Sequence, residues 1–455
     1  MLPRIRALSA RLASIVVLGA AASTIFAAPR AGVHAASGAG IPIKHVVVIY
    51  QENHSFNEIL GSLCVRHSRC KGSLVGKLHT GKTIRLRQAP DIVPGLRHTI
   101  QAQRKAMDGG RMDGFSTVHG CTPDRHYACY ELYRENQIPN LSALARHFVI
   151  ADHTFESDVV SSWGSHIELV AARLDGFTGD NPVPAKGLPM GPGWGCDSNR
   201  DAPWRAPSGN VLMEPSCIPK KDGTGPYRPS PVQYIPTIMD RLGASGRSWR
   251  IFRPPGETRP RLPYGWAICP TFAECQYSNQ QRNVAPDTRV IHAAKAGTLT
   301  ALSIVIPQGR NSQHNGWSMR TGDNWIASVV DAVMHGPDWK STAIFITYDD
   351  CGCFYDEVRP PSGMGIRVPM VIVSPYARPA FTDSKVASSY TSILAFTERV
   401  FGLQPLSRAD ANAYDYFGAF DFTQKPLPPI DLTTHPLPRR ERAWLRAHPP
   451  KPDDT

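Results

Sequence analysis

Residues 43–61 read IKHVVVIYQENHSFNEILG, and the run Val46-Val47-Val48-Ile49 within them constrains the fold more than any other stretch. Four consecutive β-branched residues cannot divide into one wet and one dry face, so they read as a strand covered on both sides. Strands of this kind belong to open α/β sheets, whose ligands gather beyond the strands' carboxyl ends. The run leads straight into Glu52 and Asn53, a carboxylate and an amide able to hold a cation or orient a substrate at that place.

Further strand-like runs lie at 148–151, 249–252, 302–306, 343–348 and 370–374, separated by helix-like stretches at 138–146, 166–174, 232–242, 324–334 and 389–401. The alternation implies an α/β fold with a mainly parallel sheet and helices on both faces. Residues 39–425 are expected to form this domain. Within it, 176–231 and 254–300 are rich in Pro, Gly, Trp and polar residues and carry four cysteines, as stapled insertions covering the site would. Tyr264 and Trp266 are candidates for an apolar wall in that cover. The segment 426–455, with its prolines and Arg439-Arg440-Glu441-Arg442, reads as an extended C-terminal tail.

Arg4, Arg6 and Arg11 flank an apolar stretch from Leu12 to Ala27 that ends in small residues, so residues 1–38 read as an export leader. The stretch is too short and too alanine-rich for a comfortable membrane span. A secreted, extracytoplasmic location agrees with the ten cysteines. Eight fall into local pairs (Cys64 and Cys70, Cys121 and Cys129, Cys196 and Cys217, Cys269 and Cys275), leaving Cys351 and Cys353. Disulfides are expected, with nearest neighbours as the simplest pairing, although spacing alone does not settle connectivity. The formal charge of +12 falls to near +8 once Arg4, Arg6, Arg11 and Arg30 leave with the leader. That balance favours anionic partners such as phosphate esters or anionic surfaces. The basic residues are dispersed and lack aromatic interleaving, which argues against nucleic acid.

Three more clusters carry chemistry. Asp349 and Asp350 follow the buried-type run Ala343-Ile344-Phe345-Ile346, and adjacent carboxylates repel unless a cation or proton lies between them. Oxygen ligands of this kind suit a hard divalent metal. Ser162, in Val160-Ser161-Ser162-Trp163-Gly164-Ser165-His166, stands just ahead of a helix-like stretch that Ser165 is expected to cap. A hydroxyl facing a helix N-terminus and a cation is activated for attack on phosphorus. His314 and His98 are the candidate proton donors to a leaving group or phosphoryl oxygen.

Taken together, IKHVVVIYQENHSF, GGRMDGF, IPNLSALARHFVIADHTFES, SSWGSHIELVAA, WGCDS, DRLGASGRSWRIF, FITYDDCGCFYDEVRPP, GIRVPMVIVSPYAR and SSYTSILAFTERVFGL resemble, in order and spacing, the bacterial phosphoesterase family that contains phosphatidylcholine-type phospholipases C and metal-dependent acid phosphatases. The resemblance implies an alkaline-phosphatase-like three-layer α/β/α fold with a metal-activated serine. It places Glu52 and Asn53 at the first-strand site, Ser162 at the nucleophile, Asp349 and Asp350 at the Asp-Asp pair, and His98 and His314 beside the phosphate. Ser161, Gly164 and Ser165 depart from the Pro-Ser-x-Pro-Asn-His pattern, and Cys351 to Glu357 depart from Trp-Gly-Gly-Phe-Tyr-Asp-His.

The reading is therefore a secreted phosphoesterase, of acid phosphatase or phospholipase C type, working through a phosphoserine. One divalent metal would be held by Glu52, Asp349, Asp350 and Ser162, with Asn53, His98 and His314 serving the phosphate. Its partner is an anionic phosphate ester or phospholipid, with transient contact to a membrane surface. The alternative is an exported protein that binds phosphate esters or phosphorylated polymers and has lost turnover.

Overall fold

The computed structural model describes residues 40–254 and 267–448. The leader, and with it Tyr264 and Trp266 of the expected cover, lie outside the described residues.

Seven strands form the central sheet: β1 (His45–Gln51), β2 (Val149–Ile150), β3 (Trp249–Arg253), β4 (Val284–Pro286), β5 (Leu302–Val305), β6 (Thr342–Tyr348) and β7 (Met370–Val373). Their spatial order is β4-β3-β5-β1-β6-β7-β2. β1 lies mid-sheet, parallel to β5 and β6, with Val46 opposite both Leu302 and Ala343. β7 alone runs against the others. β1 is buried from Val46 onward, and β5, β6 and β7 are buried throughout, so both faces of the sheet are covered. This is the arrangement the β-branched runs require, because neither face offers a polar row to water.

The covering helices fall into two packed groups. Ser162–Ala171 packs with Ile238–Ala244 and Tyr390–Phe401, while Pro139–His147 and Arg289–Ala296 pack on Met319–Met334. Among the described residues no helix is long and apolar enough to cross a membrane.

The disulfides are Cys64–Cys70, Cys121–Cys129, Cys196–Cys217 and Cys269–Cys275, the nearest-neighbour pairs. Cys351 and Cys353 are free and buried. The two expected cover segments join each other through Cys196 N–H to the Pro270 carbonyl at 2.8 Å and a bridge between Ile218 and Phe272. Two readings change. The second segment is not all cover, since its Val284–Pro286 supplies the edge strand β4, beside β3. The tail, expected to be extended, carries the helix Arg439–Ala447, built from Arg, Glu, Ala, Trp and Leu, mostly strong helix formers.

Candidate active site

The site sits where the carboxyl ends of β1 and β6 meet, near the middle of the seven-stranded sheet. Glu52 and Asn53 follow β1, and Asp349 and Asp350 follow β6, its direct neighbour. All four are fully buried. Asn53 adopts left-handed backbone, φ 56°, a conformation that asparagine tolerates and that clusters at functional turns. This turn points its N–H at Asp349 Oδ1, 2.8 Å away. The N–H of Asp350 reaches the same oxygen at 2.8 Å. Gly352 then presses so closely on Asn53 that a Cβ there would stand 2.2 Å from the Asn53 carbonyl oxygen. A glycine is required at that contact, and the Cys351-Gly352-Cys353 turn keeps one.

Ser162 comes from a third segment. Its helix begins at Ser162 itself, and Ser161 occupies the N-cap position. Ser165, expected to be the cap, lies inside the first turn with its N–H on the Ser161 carbonyl. The helix starts one turn early because the first insertion supplies the capping group: Asn181 Oδ1 accepts from Trp163 N–H at 3.0 Å. Gly164 lets this happen, since a Cβ would stand 2.8 Å from both Gly179 Cα and Val160 Cβ. The Ser162 hydroxyl thus lies at a helix N-terminus and donates to Asp350 Oδ2 at 3.1 Å.

The structure also brings in a residue that the sequence reading passed over. His166, one helical turn beyond Ser162, offers a ring nitrogen that lies with one oxygen each of Glu52 and Asp349 inside a 4.8 Å cluster. Its Nε2 is 3.7 Å from Glu52 Oε1. The i, i+4 spacing of Ser162 and His166 was the available signal, because those positions share a helix face.

Charge is unbalanced here. Both Glu52 oxygens and Asp349 Oδ2 are buried without a hydrogen-bond partner among the described residues. Burial, then the neighbouring Asp349, pushes the Glu52 carboxyl well above the usual carboxylate range. Burial and Asp350 raise Asp349 likewise. Buried, partnerless carboxylate oxygens grouped with an imidazole form a donor set that fits a divalent cation, which would satisfy them.

His314 and His98 lie on the other side of Asn53. With the Asn53 amide nitrogen turned to the carboxylates, it reaches Asp349 Oδ1 at 3.2 Å and Asp350 at 3.0 Å, and its oxygen accepts from His314 Nε2 at 2.7 Å. His314 Nδ1 meets the Asn315 carbonyl at 3.0 Å. Carbonyl and amide oxygens only accept, so each ring nitrogen of His314 faces an acceptor to which it can donate when it carries a proton. His98 stands edge-on to it, ring centroids 6.2 Å apart, and its Nδ1 is held by the Leu96 carbonyl at 2.8 Å. Glu52, Asn53, Ser162, Asp349, Asp350 and His314 are thus one connected group, with His98 beside it.

The loop bearing His314 is braced from behind. His54 bridges Glu58 Oε2 and the Gln313 carbonyl, 2.7 Å to each. Farther back, the buried Arg367 Nε lies 3.1 Å from both oxygens of Asp356 and its guanidinium stacks on Phe56 at 4.2 Å. Asp356 also accepts from Asn57 N–H at 2.9 Å, tying the segments after β1 and β6 together.

The chain is 23% identical to a non-hemolytic phospholipase C of Pseudomonas aeruginosa, over 90% of this chain and 62% of that protein. It is 24% identical to phospholipase C A of Mycobacterium tuberculosis, over 87% of this chain and 80% of that one. The chain therefore spans about three-fifths of the first relative's length. Among solved structures, a protein in the alkaline phosphatase superfamily from Vibrio parahaemolyticus superposes with a TM-score of 0.38 at 10% identity, covering 82% of this chain and 69% of that one. The profile of the Phosphoesterase family matches residues 43–404, and the chain belongs to that family.

Proposed function

We propose that this chain is an exported, metal-dependent hydrolase of phosphate esters, of phospholipase C or acid phosphatase type, with Ser162 as nucleophile. The observation that carries the reading is the Ser162 hydroxyl at a helix N-terminus, hydrogen-bonded to Asp350 and flanked by the partnerless oxygens of Glu52 and Asp349. Glu52, His166 and Asp349 are the residues that would hold the metal, with Asp350 alongside. A divalent cation there supplies positive charge that lowers the serine pKa and balances a phosphoryl oxygen.

The chain's own residues supply the rest. Asp350 accepts the Ser162 proton as Oγ forms its bond to phosphorus. The Asn53 side chain and the helix N-terminus steady the charge on the equatorial oxygens. His314, when doubly protonated, gives one proton to the departing alcohol oxygen as the P–O bond breaks. Water then attacks the phosphoserine, the histidine takes the water's proton, and Asp350 returns its proton to the departing Ser162 oxygen, which restores the serine. His98 lies at the edge of this arrangement, where it would face the phosphate or its substituent.

The test is hydrolysis of p-nitrophenyl phosphate and p-nitrophenyl phosphorylcholine, with and without chelator, by wild type and Ser162→Ala. Chelation should abolish turnover, and the substitution should lower it by on the order of 10³ or more. Undiminished turnover by Ser162→Ala would remove the nucleophile assignment. Retained phosphate-ester binding without any hydrolysis by metal-loaded wild type would favour a binding protein.

A further inference from the structure

Within the first insertion, Val183–Pro184, Arg200–Arg205 and Val211–Pro215 form a three-stranded antiparallel sheet. Residues paired directly across such a ladder share a face, and alternate residues change face. Val183 opposes Asp201, Pro203 opposes Met213 and Arg205 opposes Val211, so these six stand on one side. Ala202 and Trp204 stand on the other, buried against the body. The outward side of a half-buried sheet is normally polar. Here Val183, Val211 and Met213 are 49%, 49% and 50% exposed. Leu188, Met190 and Leu212, the last on the Trp204 side, are exposed too, so six of the eleven exposed large hydrophobics among the described residues fall between positions 183 and 213 of the chain. Single exposed apolar residues are ordinary, but a contiguous group marks an interaction surface.

Cations accompany the patch. Arg205 shares the outward face, and exposed Lys186 lies between Val183 and Leu188 in the chain. The acid on that face, Asp201, is 2.5 Å from Arg228 and so is neutralised. The patch is also firmly held. Cys196–Cys217 staples its base, and Phe177 packs edge-on against Trp163 at 4.9 Å, on the helix that begins with Ser162.

We propose that this face docks on an anionic phospholipid surface, with Val183, Val211 and Met213 entering the boundary between headgroups and acyl chains and Arg205 and Lys186 meeting lipid phosphates. Aliphatic side chains rimmed by cations are the chemistry of interfacial binding. A second copy fits less well, because a two-fold contact through this face would gather two copies each of Arg205 and Lys186, all of one sign, in a single interface. The proposal draws on the phosphate-ester reading only for the purpose of docking, and docking itself can be read without turnover.

The experiment is co-sedimentation of the protein with vesicles of equal parts phosphatidylcholine and phosphatidylglycerol, and with phosphatidylcholine alone. Wild type should bind the mixed vesicles more tightly. Val211→Ser with Met213→Ser should weaken that binding about tenfold or more, and Arg205→Ala should remove the preference for the anionic lipid. Both variants should hydrolyse p-nitrophenyl phosphate as wild type does. Wild type that stays in the supernatant, or a double variant that binds unchanged, overturns the proposal. So does a dimer in light scattering that the double variant abolishes, with no vesicle binding by wild type. Vesicle binding without any ester hydrolysis would instead defeat the phosphoesterase reading and leave docking in place.

Discussion

Replacing Glu52 by Gln asks whether the carboxylate cluster is built around a cation. Both Glu52 oxygens and Asp349 Oδ2 are buried without a donor, so in the metal-free protein they are a liability. An unsatisfied buried polar group costs about 1–3 kcal/mol. Gln has nearly the same shape, carries no charge, and can offer an N–H to the partnerless Asp349 oxygen. The metal-free variant should therefore be more stable than wild type by about 2 kcal/mol. At about 2.1 cal/mol/K per residue, a domain of ~400 residues unfolds with an entropy near 0.85 kcal/mol/K, so the gain corresponds to about 2 °C in Tm. Metal works the other way. A cation at a hundred times its Kd stabilises wild type by ~2.7 kcal/mol, about 3 °C, and should stabilise the variant much less. The order of the two melting temperatures should reverse between chelator and metal. Circular-dichroism melts in chelator, then with Mg²⁺, Ca²⁺, Mn²⁺ and Zn²⁺ in turn, read this directly. A variant that is less stable than wild type in chelator and responds identically to every metal would refute the reasoning, and Glu52 would be an ordinary structural acid.

Other perturbations bear on the frame and the proton donor. Arg367→Ala leaves Asp356 buried without its cation and should cost about 3–5 kcal/mol, read as a lowered urea midpoint. A near-normal midpoint would mean that the Arg367–Asp356 pair is not what ties the two segments together. Burial, then the adjacent Asp410, pushes the Glu398 carboxyl up to about 10. The folded state therefore holds this proton more tightly than the unfolded chain. Its contribution is fully present below the ordinary glutamate range and is lost as pH rises toward 10, with a slope approaching ~1.4 kcal/mol per pH unit. Glu398→Gln should flatten that loss between about pH 5 and about pH 9, and equal pH slopes for both proteins would count against it. If the charged form of His314 protonates the leaving alcohol, kcat should fall toward alkaline pH. An alkaline optimum together with a fully active His314→Ala variant would remove that role.

The main strands were legible because doubly buried strands have a distinctive composition, and β1, β5, β6 and β7 all appear where β-branched and aliphatic runs predicted them. The disulfides were legible because each pair closes a short local loop. What stayed hidden depended on partners distant in the chain. No local pattern shows that Asn181 will cap the Ser162 helix, so the cap was assigned one turn too late. The sheet-edge strand at 284–286 has only three residues and ends in proline, and it is a strand only because β3 lies beside it. His166 looked like one more residue on a buried helix until β1 and β6 brought two carboxylates to it.

The same dependence explains why each site motif was weak alone. Asn53 holds its left-handed turn because Asp349, nearly 300 residues later, accepts its N–H, and because Gly352 leaves room for its carbonyl. Ser162 is oriented by Asp350 on one strand end and by an insertion residue at its helix start. Several chain segments contribute, two of them directly from the carboxyl ends of the neighbouring parallel strands β1 and β6. A single segment therefore carries a residue type without its geometry. The partnerless oxygens of Glu52 and Asp349 arise only when the segments meet, and a cation is the group that would relieve them.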